Sequence, residues 1–105
     1  MIKRRSKMTI TKTQNADSIV LALEGRLDTT TAPQLEEEVK AITPDITSLE
    51  LDFAALEYIS SAGLRILLSA QKTMNKQGEM KIKNVCEDIM EVFDITGFSD
   101  ILTIE

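Results

Sequence analysis

The chain has 105 residues, 43% of them hydrophobic, and a formal net charge of −5. That length fits one domain with one packed core and leaves no room for a second domain or a large cofactor cavity. Histidine and tryptophan are absent and aromatic residues make up only 4%, so the commonest acid–base group and metal ligand is missing, as is the material for a base-stacking nucleic-acid surface.

Charge is unevenly spread. Four of the twelve basic residues lie in Met1–Lys7, so the remainder carries 8 basic and 17 acidic residues, a net of −9. An acidic body argues against direct contact with nucleic acid. Residues 1–7 are expected to be a poorly ordered basic tail and 8–105 the folded domain. No apolar run is long enough to span a membrane, and none follows the basic tail as in a signal peptide. A single cysteine, Cys86, fits a reducing compartment. The expectation is a cytoplasmic protein without membrane insertion.

The elements follow in chain order. Met8–Gln14 alternates weakly as a strand, Asn15-Ala16-Asp17 is a turn signal, and Ser18–Glu24 alternates with Ile19, Leu21 and Leu23 on one face. The pair predicts an antiparallel hairpin ended by Gly25. Thr31 and Gln34 have capping-box spacing, with Pro33 inside a first helical turn. Leu35, Val39 and Ile42 continue the helix, with Glu36, Glu37 and Glu38 on its solvated side, and Thr43-Pro44-Asp45 stops it. Ser48–Phe53 alternates strictly and predicts a strand with one buried face. Ser61–Gln77 predicts the longest helix, with Leu64, Leu67, Leu68 and Met74 as its apolar stripe and Gly78 as its stop. Glu79–Asn84 is a further strand. Cys86–Ile95 is a third helix, with Cys86 as a core residue, and Ile101–Ile104 a last short strand. The fold class is α/β: a mixed sheet of four or five strands, antiparallel at its start and parallel later, with helices mainly on one face.

The turn Tyr58-Ile59-Ser60-Ser61-Ala62-Gly63-Leu64 carries the candidate chemistry. It joins a central strand to the longest helix, at the strand end where α/β proteins place their sites. A serine there can cap the free N–H groups, and a phosphate there would meet the same groups and the positive end of the helix dipole. On residue types alone, a Ser-Ser pair before small residues is first a helix cap and second a phosphorylation site.

Three blocks of the chain resemble the STAS domain of bacterial anti-sigma factor antagonists. Leu23-Glu24-Gly25-Arg26-Leu27-Asp28-Thr29-Thr30-Thr31-Ala32 resembles the family's strand, its Gly-x-Leu-Asp and its Thr-rich helix start. The Ser60-Ser61 turn resembles its Asp-Ser-x-Gly-Leu turn, and Phe93-Asp94-Ile95-Thr96-Gly97-Phe98 its late helix end. The resemblance implies a phosphorylation-switched antagonist. Unphosphorylated, it would bind an anti-sigma factor that is also a serine kinase. Phosphorylation of Ser61 would end that binding, and a cognate phosphatase would reset it. It also implies a partner surface of Asp28, Thr29, Thr30, Tyr58, Ser60, Ala62, Gly63, Leu64 and Arg65. Ser60 stands where the family has aspartate, which leaves two hydroxyls side by side; the Gly63-Leu64 register selects Ser61. Asp28 matches an acidic residue near the phosphoacceptor and would repel a phosphate, or else complements a helix N-terminus. Arg65 would pair with a phosphate or be solvated.

Two other classes compete. One is a non-switching STAS subunit of a transporter or signalling scaffold. The other is an enzyme, for which no nucleophile–base set or paired carboxylates are visible. A receiver domain phosphorylated on aspartate would need a metal-binding acidic cluster, and the strand ends offer only Asp52 and Asp28. Catalytic residues, cofactors and metals are therefore not expected.

Overall fold

The computed structural model describes residues 7–105. The expected basic tail thus lies outside the described residues except for Lys7. Strands β1 (Met8–Asn15) and β2 (Ser18–Leu27) form the antiparallel hairpin; helix α1 (Ala32–Lys40), strand β3 (Ser48–Ile59), helix α2 (Ser61–Gln77), strand β4 (Glu79–Lys83) and helix α3 (Glu87–Thr96) follow. The sheet order is β1-β2-β3-β4, with β2, β3 and β4 mutually parallel through the α1 and α2 crossovers.

Alternation decides which face is covered. Ile19, Leu21 and Leu23 of β2, Leu49, Leu51 and Phe53 of β3 and Met80 and Ile82 of β4 point to one side. They form a single cluster with Leu35 and Val39 of α1, Leu67, Ala70 and Met74 of α2, and Ile89 and Phe93 of α3. The helices therefore share one face. Val20, Ala22, Glu50, Asp52, Lys81 and Lys83 make up a half-exposed opposite face.

The strands run further than the alternation predicts. β2 continues through Gly25 to Leu27 and β3 continues past Phe53 to Ile59. The pairing between them shifts register twice, between Ala22 and Glu24 and between Gly25 and Arg26. At each shift β3 carries an extra residue, which breaks the period of two and hides the strand from a pattern search. Gly25 does not end its strand. It sits at φ +107°, and a Cβ there would lie 2.3 Å from the Lys7 carbonyl oxygen, which accepts the Arg26 N–H at 3.0 Å.

Three other expectations are corrected. Thr31 makes no capping bond to the α1 backbone, and the Gln34 side chain donates to the Met8 carbonyl instead of closing a capping box. Cys86 is exposed and precedes α3 as its N-cap, because Ile89 and Phe93 alone already turn the helix toward the core. The expected last strand shrinks to one bridge, Ile82 to Ile104, because Phe98–Asp100 winds into a short 3-10 turn first.

Candidate functional site

The ends of β2 and β3 lie side by side, and both feed helix starts. Arg26 is paired with Tyr58 and Leu27 with Ile59. The Ser60 N–H donates to the Leu27 carbonyl at 2.9 Å, which pins the beginning of α2 to the end of β2. The Ser60 backbone is extended, at φ −104° and ψ 175°, and its Oγ accepts the Gly63 N–H at 3.4 Å. Ser60 is thus the N-cap, by a long and weak contact. Ser61 is the first helical residue, exposed, and its hydroxyl has no hydrogen-bond partner among the described residues.

Gly63 fits the turn onto the sheet. A Cβ at this position would lie 2.7 Å from Leu27 Cγ and 2.9 Å from Ile59 Cγ1. Any side chain would lever the first turn of α2, and with it Ser61, off the strand ends. Leu64 is 7% exposed and belongs to the core beneath. Of the residues expected at a partner surface, Gly63 and Leu64 therefore act by seating the turn. Thr29, Thr30, Tyr58 and Arg65 are exposed, while Asp28, Ser60 and Ala62 are half-buried.

Asp28 organises the neighbouring turn. Its Oδ1 accepts the N–H groups of Thr30 and Thr31 at 3.0 and 3.1 Å. Its own N–H donates to Thr31 Oγ1 at 2.9 Å, and Thr31 Oγ1 donates to the Arg26 carbonyl at 2.7 Å. These bonds brace the turn ahead of α1; the Ala32 N–H is taken by the Asp28 backbone carbonyl at 2.7 Å, and no side chain caps the helix. Asp28 Oδ2 faces Arg26 Nε at 3.8 Å, and the Arg26 guanidinium carbon lies 4.1 Å from the centre of the Tyr58 ring. The stacked Arg26–Tyr58 pair was not singled out from the sequence. Its signal is a cross-strand register that the two shifts conceal.

Behind this rim, Asp52 holds the irregular part of β3. Its Oδ1 accepts the Asn84 amide and the Ala54 N–H, both at 2.9 Å. These bonds, the Asn84 one foremost, hold its carboxyl below the ordinary 3.8 despite partial desolvation, with Lys83 assisting. Among the described residues, no three cysteine, aspartate or glutamate side chains converge as metal ligands.

The STAS domain family model matches residues 7–105, and the chain belongs to that family. It is 32% identical over 92 residues to an anti-sigma-B factor antagonist of Bacillus subtilis, covering 87% of this chain and 84% of that one. Its fold matches an anti-sigma factor antagonist from Mycobacterium paratuberculosis with a TM-score of 0.85 at 22% identity, over 98% of this chain and 89% of the other. It also matches the Bacillus cell fate determinant SpoIIAA in its phosphorylated form, with a TM-score of 0.73 at 17% identity over 92% and 91% of the two chains.

Proposed function

We propose that this chain is an anti-sigma factor antagonist that binds an anti-sigma factor with serine kinase activity and is released when Ser61 is phosphorylated. The observation that carries the reading is the division of labour between two adjacent hydroxyls. Ser60 caps α2, while Ser61 stands exposed in the next position with its Oγ uncommitted among the described residues. The B. subtilis relative's name and the phosphorylated state of the SpoIIAA structure support it.

In the switch, Ser61 Oγ attacks the γ-phosphorus of the kinase's ATP; the bond to the β-phosphate oxygen breaks, ADP leaves, and the hydroxyl proton passes to a base of the kinase. The new phosphate carries about −1.5 to −2 charges at neutral pH. Placed on a chain of net charge −5, it repels an acidic or apolar docking surface and occupies the space between the two helix starts. A phosphatase returns the serine by hydrolysis. The chain acts by binding, in the cytoplasm, without catalysis of its own, and affects transcription through its partner.

Incubation with the partner anti-sigma kinase and ATP, followed by intact mass spectrometry, tests the site. One phosphate is expected on the wild type and on Ser60→Ala, and none on Ser61→Ala. Phosphate persisting on Ser61→Ala refutes the assignment. Calorimetry tests the switch: Ser61→Asp is expected to weaken the complex at least about tenfold, equivalent to about 1.4 kcal/mol. An unchanged affinity would refute release by charge.

A further inference from the structure

Arg26 is held loosely at the rim where the phosphate would arrive. Its Nε is 3.8 Å from Asp28 Oδ2, beyond hydrogen-bond distance, and its side chain is 48% exposed. An exposed pair of that length contributes little. Asp28 does not depend on it, because Oδ1 remains bound to the N–H groups of Thr30 and Thr31. The stack on Tyr58, 4.1 Å from the ring centre, restricts the guanidinium to the neighbourhood of the strand ends.

Register brings the Arg26 backbone close to Ser61, while its side chain lies on the sheet face away from α2 and would reach a phosphate by passing round the end of β3. Arg26 is paired with Tyr58, and the Ser60 N–H is bonded to the carbonyl of the next residue of β2, Leu27. With neighbouring strands about 4.8 Å apart and a rise of about 3.3 Å per residue, the Arg26 and Ser61 Cα atoms lie roughly 10 Å apart. An extended arginine and a phosphoserine together span about that distance. A dianionic phosphate also presents the paired oxygens that a guanidinium binds bidentately, with more charge than the single carboxylate oxygen that faces Arg26 now.

We propose that Arg26 is the intramolecular receptor for the phosphate on Ser61: on phosphorylation its guanidinium leaves Asp28 and clamps the phosphoserine. The idea rests on the Ser61 reading above. In the unmodified protein the partner meets a stacked Arg26–Tyr58 plate. In the phosphorylated protein the arginine is withdrawn from that plate, so one modification changes two parts of the surface. Arg65, one turn along α2 from Ser61 and also exposed, is the competing cation.

The test uses full-length protein with phosphoserine incorporated at position 61 during translation, so no kinase is needed. Phosphorus NMR follows the second ionisation of the phosphate, ordinarily near pH 6. Clamping is expected to lower that midpoint by about half a pH unit or more. Arg26→Gln is expected to restore it to about 6, Arg26→Lys to restore it in part, and Arg65→Gln to leave it lowered. A midpoint unaffected by Arg26→Gln, or one restored by Arg65→Gln instead, overturns the assignment. Failure of the kinase to label Ser61 would overturn the reading beneath it while leaving this titration to stand or fall alone.

Discussion

Gly63 sits where the first turn of α2 meets Leu27 and Ile59, with 2.7 Å and 2.9 Å between a hypothetical Cβ and their side-chain carbons. Both neighbours are core residues, 0% and 4% exposed, so neither can move into solvent to make room. Gly63→Ala is expected to cost about 1–3 kcal/mol by overpacking, seen as a lower midpoint in urea with an unchanged slope. A loss below about 0.5 kcal/mol would mean that the turn shifts easily to make room. Asp52 yields a pH-dependent prediction. Its folded-state pKa is depressed, so its stabilising contribution is complete above the unfolded value and is lost as pH falls through the folded value. Asp52→Ala is expected to cost about 1 kcal/mol at pH 7, and denaturation at pH 3 or below should show a smaller difference from the wild type. An equal loss at both pH values would assign the effect to packing.

Among the elements, the two helix starts at the site are held in different ways. The α2 start relies on the 3.4 Å contact to Ser60 Oγ and on the Ser60 N–H tie to Leu27, and only the first of these is a side-chain bond. Ser60→Ala is therefore expected to cost at most about 1 kcal/mol and to leave Ser61 in place, which justifies its use as a control. The α1 start has no side-chain cap; Asp28 instead braces the turn ahead of it, its carboxylate accepting the N–H groups of Thr30 and Thr31. Asp28→Ala is expected to cost about 1–2 kcal/mol in thermal or chemical unfolding, while Asp28→Asn, which keeps an acceptor, loses less. Equal losses for the two variants would shift the weight from the turn's hydrogen bonds to the charge. Cys86 ends the series as an N-cap with no side-chain bond to α3. Cys86→Ser supplies an acceptor there and is expected to stabilise by about 0.5–1 kcal/mol.

On the scale of the whole molecule, one core cluster joins all four strands and three helices, so the rim is only as rigid as that cluster. Phe53 and Phe93 are both 0% exposed. Truncating either to alanine is expected to cost about 3–5 kcal/mol, a large share of the stability of a domain this size. Loss of cooperative unfolding by circular dichroism would register that damage. Partner binding should fail together with it, whereas Ser61 variants should lose the switch without losing the fold. On the open side of the sheet the ion pairs Lys83–Glu50 and Lys81–Glu105, at 3.1 and 3.3 Å, lie in half-exposed positions and carry little of the stability.

The amino-acid sequence by itself determined the regular parts. Strict alternation in Ser48–Phe53 and the helical stripe of Leu64, Leu67 and Met74 carry their periods in adjacent residues, so the strand, the helix and their buried faces were legible locally. The family blocks around Gly25-Arg26-Leu27-Asp28 and Ser60–Leu64 pointed to the STAS fold for the same reason: they are contiguous. Tertiary structure alone decided the rest. The two register shifts between β2 and β3, the exposure of Cys86 and the diversion of Gln34 to the Met8 carbonyl in place of a Thr31–Gln34 capping box depend on which distant backbone lies alongside. The placement of Arg26 over Tyr58 joins residues 32 positions apart across a shifted ladder, and no local period encodes it. The turn around Ser61 combines both: its residues spell a helix start, and the sheet beneath decides that Ser60 is spent on the cap and Ser61 is left exposed.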